Sequence, residues 1–287
     1  MANLKEIRNR ISSVGSTMQI TSAMKMVSAA KLKRAQDAII QMRPYANKLT
    51  ELLVNLSSSL DSSEGGGFSS LRDINSVLIV TVTSNRGLCG GFNANVIKSA
   101  VSLINNDYKD KNVSIVSIGK KSSKFFRKNN LNLVSTHDDI YSDLSYDNIS
   151  LISESIMNDY LQGTYDKVVL IYNQFKNAAT QKIMNESYLP VEAPSEQDIV
   201  IGDYIFEPQK EEIVEELIPK SLKTQLYKAV LDSHASEHGA RMTAMHKATD
   251  NASELKKELT LSYNKARQAA ITAEILEIVG GAEALNS

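Results

Sequence analysis

LKEIRNRISSVGSTMQITSAMKMVSAAKLKRAQDAIIQMRPYANKLTELLVNL (4–56) decides how this chain is built. Alternating steps of three and four residues from Leu4 pass through Ile7, Ile11, Val14, Met18, Thr21, Lys25, Ser28, Leu32, Ala35, Ile39, Met42, Ala46, Leu49, Leu53 and Leu56. Thirteen of these sixteen positions are apolar. A seam held for that many turns is the pattern of a helix that pairs along its length with another helix. At about 1.5 Å per residue such a helix runs roughly 80 Å, far more than a globular core needs. Asn3 suits an N-cap with Glu6 three residues on, and Pro44 is expected to bend the helix or interrupt it for a turn.

The rest of the chain reads outward from this helix. SSSLDSSEGGGFSS (57–70) has linker composition. Between it and the last third, short apolar strands alternate with helical patterns. VLIVTVT (77–83), NVSIVSIG (112–119), LNLVSTH (131–137) and DKVVLIYNQF (166–175) read as strands. FNANVIKSAVSLINNDY (92–108), KSSKFFRKNN (121–130) and YDNISLISESIMNDYLQG (146–163) read as helices. The alternation predicts a mostly parallel sheet, with further extended pieces near 180–190 and 199–206. A final helix starts between Glu211 and Pro219, where proline suits a first turn, and runs to about Leu285. The expected fold is therefore α/β: a long antiparallel coiled coil of the terminal helices plus a central Rossmann-like α/β domain. The expected segments are helix 1–57, linker 58–75, α/β domain 76–209 and helix 210–287.

Counting along the hairpin shows that it is lopsided. If pairing begins at Leu56 and Glu212, Leu4 lies opposite Ser262–Lys265; beginning at Pro219 moves that point to Ile271–Thr272. Either way the last 13 to 22 residues project alone. That overhang, ARQAAITAEILEIVGGAEAL (266–285), carries Ile271, Ile275, Ile278 and Leu285 on one side, Leu276 and Val279 around from them, and alanines elsewhere. A helix apolar on almost every face needs burial, so a sleeve from outside the chain is expected.

Bulk chemistry narrows the function. Net charge is −1 over 287 residues, but residues 1–57 hold nine Lys/Arg against three Asp/Glu, which points to an acidic partner. One cysteine, Cys89, excludes an internal disulfide and suits a reducing compartment. No apolar run approaches the roughly 18 residues of a membrane span, and the seam begins at Leu4 without a leader-like stretch. The expectation is a bacterial cytoplasmic protein whose contact with a membrane runs through partners.

Four motifs invite other readings. SNRGLCGGFN (84–93) follows a strand as a phosphate loop would, but it has neither G-x-x-x-x-G-K-[ST] nor G-x-G-x-x-G spacing. A tight strand-to-helix turn accounts for it. HASEH (234–238) has H-x-x-E-H spacing, yet only His137 and His246 remain as further imidazoles, so exposed coiled-coil positions are expected instead of a zinc site. No base is evident beside Cys89, which reads as a packed thiol. Lys25, Lys31, Lys33 and Arg34 are spaced to grip phosphates as a basic helix does, but near-neutral charge and a hairpin partner weigh against nucleic acid. No catalytic constellation, metal site or cofactor site emerges.

ITAEILEIVGGAEA (271–284) resembles the C-terminal signature of the gamma subunit of bacterial rotary (F-type) ATP synthases, through Ile271, Thr272, Glu274, Glu277, Gly281, Ala282 and Ala284. LKEIRNRISSVGSTMQITSAMKMVSAAKLKRAQ (4–36), SNRGLCGGFNANV (84–96), GDYIFEP (202–208) and RMTAMHKATDNASELKKELTLSYNKARQAAIT (241–272) are similar to that family as well. The resemblance implies a central rotor shaft, one copy per complex and non-catalytic, working in proton-driven ATP synthesis. Its coiled coil would enter a ring of three alpha and three beta subunits; its α/β foot would meet epsilon and the membrane ring of c subunits. It implies a peripheral position on the cytoplasmic face of the inner membrane. With the pairing that begins at Glu212, Met24, Lys25 and Met26, at the polar break in the seam, lie opposite Met242–Met245, and the resemblance puts this zone near acidic levers of beta. Arg241, Gln268, Thr272, Glu274 and Glu277 would contact the sleeve, and Tyr204 and Glu207 the ring or epsilon. A non-rotary coiled-coil adaptor, or a nucleic-acid-binding hairpin, is the alternative; the apolar tip speaks against the latter, which would carry basic residues to its end.

Overall fold

The computed structural model describes residues 4–57, 67–69, 72–191 and 210–286. The chain forms two compact units, one of residues 1–28 with 242–287, the other of residues 29–241. Helix α1 (Leu4–Ser57) and helix α5 (Lys210–Asn286) each contribute to both.

In the first unit α1 and α5 pair antiparallel. Arg8 Nη2 donates to Tyr263 Oη at 2.6 Å, the Thr21 and Thr249 hydroxyls share a 2.8 Å hydrogen bond, and Lys25 Nζ donates to His246 Nδ1 at 3.3 Å. Seventeen residues separate Arg8 from Lys25, and seventeen separate His246 from Tyr263, so the register holds over this stretch. Every seam position expected from Leu4 to Ser28 is buried or half-buried. Its counterpart on α5 is Met245, Thr249, Ala252, Lys256, Leu259, Tyr263 and Ala266, again in alternating steps of four and three. Extending the register places Leu4 opposite Arg267, between the two alignments expected from the sequence. Lys25 therefore meets His246, not Met242–Met245. The side chains that interlock set the register, and Met245 turns into the seam instead.

The second unit is built on a sheet in the order β3-β2-β1-β4-β5. The strands are β1 (Ser76–Val82), β2 (Asn112–Ile118), β3 (Leu133–Thr136), β4 (Lys167–Phe175) and β5 (Gln181–Leu189). The first four are parallel and β5 is antiparallel to β4. Helices α2 (Phe92–Asn106) and α3 (Lys120–Lys128) cover one face, meeting Val77, Ile79, Ile115 and Ile171 with Val96 and Phe126. On the other face Leu78, Val80, Ile118 and Leu170 pack on α4 (Tyr146–Leu161) and on Leu222, Leu226 and Val230 of α5. Strands buried on both faces explain the unbroken apolar runs in the sequence. In this unit the seam positions of α1 from Leu32 to Leu49 are also buried or half-buried.

Two prolines behave differently from expectation. α1 runs through Pro44 without interruption; Pro44 is exposed, so the carbonyl it leaves free can take water. α5 starts at Lys210, one residue before the expected window, and Pro219 lies inside the helix and not in its first turn. The extended piece expected near 199–206, and most of the linker, lie outside the described residues.

Candidate functional site

Two places carry the chemistry: the end of α5 in the first unit, and the crevice at the carboxyl ends of the strands in the second. They are built differently.

After Ala266 no residue of α5 up to Ala282 is covered. Ile271, Ile275, Leu276, Ile278 and Val279 are 48–67% exposed. At about 100° per residue these five fall within an arc of roughly 160° that also holds Gln268 and Thr272. The remaining arc holds Glu274 and Glu277 among alanines and glycines. The tip is thus sided, with bulky apolar groups on one face and acidic and small groups on the other, which sharpens the expectation of a helix apolar nearly all round. Gln268, Thr272, Glu274 and Glu277 are all exposed, and the Thr272 hydroxyl donates to the Gln268 carbonyl at 3.0 Å. A Cβ on Gly280 or Gly281 would meet nothing within 4 Å. Exposed apolar surface of this kind marks an interaction site. Met24 and Lys25 are half-buried in the first unit, while Met26 and Val27 beside them are 65% and 58% exposed.

The crevice of the second unit lies where β1 is followed by β2 on one side and bordered by β4 on the other, the switch point at which open α/β sheets bind ligands. Here α5 fills it. Gly239 sits so close to the β4–β5 turn that an added Cβ would come within 3.2 Å of the Ala178 backbone. Ser236 Oγ donates to the Asn173 carbonyl at 3.0 Å, and Asn173 Nδ2 donates to the Phe92 carbonyl at 3.2 Å. Arg241 Nη2 donates to the carbonyls of Arg86 and Gly87 at 3.2 and 3.3 Å, and Nη1 to Glu237 Oε1 at 2.6 Å. The loop after β1 therefore turns carbonyls toward a guanidinium, not N–H groups toward a phosphate. Leu88 at φ 63° and Gly90 at φ 59° shape the turn, and Ser84, Asn93 and the Cys89 thiol bond one another inside it. Cys89 is buried, and burial raises its thiol above the usual range.

HASEH belongs to this plug, and the expectation of exposed coiled-coil positions is wrong. His238 is buried and His234 half-buried. Arg241 Nη1 lies 3.4 Å from His238 Nδ1, and a guanidinium can only donate, so Nδ1 accepts. The His238 proton is then on Nε2, which donates to His234 Nε2 at 3.1 Å. Tyr141 stacks on His234 with ring centroids 5.8 Å apart and donates to the Thr83 carbonyl at 2.8 Å. Burial, aided by Lys31 and Arg241, holds His234 down to about 4. Burial, with His234 and Arg241, holds His238 down to about 3. Both rings are neutral at pH 7 and occupied with each other, and no group of three or more metal-ligating side chains exists among the described residues. Burial raises the Glu237 carboxyl against the opposing pull of Arg241.

The residues singled out from the sequence thus divide. Gln268, Thr272, Glu274 and Glu277 share the exposed tip; Arg241 is only 7% exposed and bonded within the chain. Tyr204 and Glu207 lie outside the described residues. Glu237, His238, Ser236 and Asn173 were not picked out as a group. The one local signal was the four-residue spacing of Glu237 and Arg241, which places an ion pair on one helix face. No helix among the described residues is long and apolar enough to cross a membrane.

The family model described as ATP synthase matches residues 3–285. The chain is 62% identical to the ATP synthase gamma chain of Flavobacterium psychrophilum, covering 99% of each. It is 53% identical to that of Cytophaga hutchinsonii over the whole of both. Among solved structures it is similar to a chain from the central stalk and c-ring of the Tetrahymena thermophila mitochondrial ATP synthase. That match has a TM-score of 0.60 at 26% identity and covers 80% of this chain and 99% of that one. A chain of the Euglena gracilis mitochondrial ATP synthase shares the fold, with a TM-score of 0.68 at 22% identity over 98% and 94%.

Proposed function

The chain belongs to the ATP synthase gamma-chain family, and from that premise we propose how its two sites serve a central rotor shaft. The shaft couples rotation of the membrane ring to conformational change in the catalytic beta subunits. It is a non-catalytic subunit; nucleotide chemistry belongs to the complex. The observation that carries the reading is the exposed, sided tip of α5, which needs a sleeve the chain does not supply. The alpha and beta subunits form that sleeve, with Gln268 and Thr272 inside the apolar arc and Glu274 and Glu277 opposite it. A sided helix presents a different surface to each of three surrounding beta subunits, so the shaft angle acts as the effector that sets their conformations.

Met24 and Lys25 face acidic levers of beta, and Tyr204 and Glu207 meet epsilon or the c-ring. Arg241 works from within: held by Glu237 and the 86–87 carbonyls, it fastens α5 to the sheet inside the second unit. Segments 1–57 and 210–287 serve as shaft and 76–209 as foot. The complex places the chain peripherally on the cytoplasmic face of the inner membrane. Neither a non-rotary adaptor nor a nucleic-acid-binding hairpin is favoured by the relatives. The test is assembly: a tagged chain should co-purify with nucleotide-binding subunits in threefold excess and with epsilon. A variant carrying Ile271→Ser, Ile275→Ser and Ile278→Ser should lose the nucleotide-binding subunits first. Recovery of a complete complex by that variant would overturn the sleeve role.

A further inference from the structure

Away from the plugged crevice, the second unit holds an open cavity of about 480 Å³ lined by Arg43 of α1, Gln174, Phe175 and Lys176 at the end of β4, and Lys228 and Asp232 of α5. Two features set it apart from ordinary surface. Arg43, Lys176 and Lys228 make no salt bridge among the described residues. Asp232, 1% exposed, leaves its Oδ1 buried with no hydrogen-bond partner. A buried carboxylate oxygen without a donor is costly and calls for an explanation.

The four charged groups ask for an unusual ligand. Three cations select an anion, but an anion brought against Asp232 is repelled unless it carries a hydrogen for that carboxylate. Monohydrogen phosphate has both: oxygens for the cations and one O–H to donate. Sulfate at neutral pH has no proton to offer. A phosphomonoester loses its last proton near pH 6, so at about pH 7.5 it resembles sulfate more than free phosphate.

We infer that this cavity binds inorganic phosphate as its protonated anion, with Arg43, Lys176 and Lys228 on its oxygens, Gln174 at the rim, and its O–H donated to the Asp232 carboxyl that lines the cavity. The site stands apart from the shaft role, which would survive its failure. Its selectivity depends on the charge of Asp232. Burial pushes that carboxyl up to about 6, opposed by Arg43 of α1 and Lys228 of α5, assisted by Glu186 of β5, and opposed by the Phe175 N–H of β4. Glu186 itself accepts from the Tyr172 hydroxyl at 2.7 Å. Above pH 6 Asp232 is an acceptor and excludes sulfate. Below it the protonated carboxyl becomes a donor and admits sulfate.

The full-length chain titrated with potassium phosphate and potassium sulfate, followed by phosphorus NMR and calorimetry, tests this. At about pH 7.5 phosphate should bind at least about tenfold more tightly than sulfate, the loss expected for one hydrogen bond to a charged group. At about pH 5 the gap should close. Asp232→Asn, nearly isosteric and able to donate, should erase the discrimination at both pH values. Arg43→Gln, on an exposed side chain, should weaken both anions by about tenfold. Absence of phosphate binding, equal affinity for the two anions in the unmodified chain, or unchanged affinity in Arg43→Gln would overturn the proposal. So would tighter binding of ADP than of phosphate, which would assign the cavity to a nucleotide.

Discussion

Arg241→Ala separates a residue that fastens α5 to the sheet from one that serves only a partner. The Arg241 and Glu237 side chains are 8% and 9% exposed, and their contact is 2.6 Å. Removing the guanidinium strands a buried carboxylate, which typically costs about 3–5 kcal/mol. It also leaves the Arg86 and Gly87 carbonyls without their donor, at little further cost because these contacts are only partly buried and water can take the guanidinium's place. A loss of about 4 kcal/mol is expected, a large share of the roughly 5–15 kcal/mol of a folded domain. The assay is urea unfolding of the full-length chain, where the midpoint should fall by about 2 M for a slope near 2 kcal/mol per molar. Adding Glu237→Gln should recover about half of the loss, because the stranded charge is gone. The Arg241→Ala variant should also gain stability on acidification relative to the unmodified chain. The reason is that Glu237, raised by burial and deprived of its cation, binds its proton more tightly folded than unfolded. A loss below about 1 kcal/mol, or a double variant less stable than Arg241→Ala alone, would refute the fastening role.

The histidine pair predicts acid lability. Because the folded value for His234 is lowered from 6.5 to about 4, its stabilisation is complete above pH 6.5 and is lost as pH falls toward 4, about 3 kcal/mol for this ring; urea midpoints at pH 7 and 4.5 should show it, and His234→Asn should flatten the profile. Gly119 has φ 106°, and a Cβ there would lie 2.0 Å from the Thr83 carbonyl oxygen. Gly119→Ala should therefore cost more than about 2 kcal/mol in a thermal melt; a melt within error of the parent would refute the close approach. Hydrogen exchange of residues 267–282 should be fast in the isolated chain and slow in the assembled complex, and slow exchange in an isolated monomer would count against an external sleeve.

How much of this was legible beforehand depends on how far apart the cooperating residues lie in the chain. The seam of α1 and the unpartnered tip of α5 follow from spacing alone, because which face of a helix is apolar is a property of neighbours three and four residues apart. The strand–helix alternation of the middle is local in the same way, and strands buried on both faces announce themselves as apolar runs. The pairing of terminal helices was also readable, but its register was not: the start of α5 at Lys210 gave a poor origin, and the interlocking of Arg8 with Tyr263 and Lys25 with His246 decided it.

The candidate sites divide along the same line. Gln268, Thr272, Glu274 and Glu277 share the tip because they share one helix, so their company was fixed before folding. The plug was not. Arg241 meets Gly87 across 154 residues, and nothing local marks a glycine-rich turn as one whose carbonyls face inward toward a cation. HASEH looked like an exposed pair because helix spacing describes a face without saying what covers it; the crevice of the sheet covers it and holds both rings neutral. Asp232 likewise became an orphan only when α1, β4 and α5 closed around it. Periodicity determined the elements and their apolar faces. Which polar groups lost their water, and what they met in its place, depended on contacts between distant segments and was decided by tertiary structure alone.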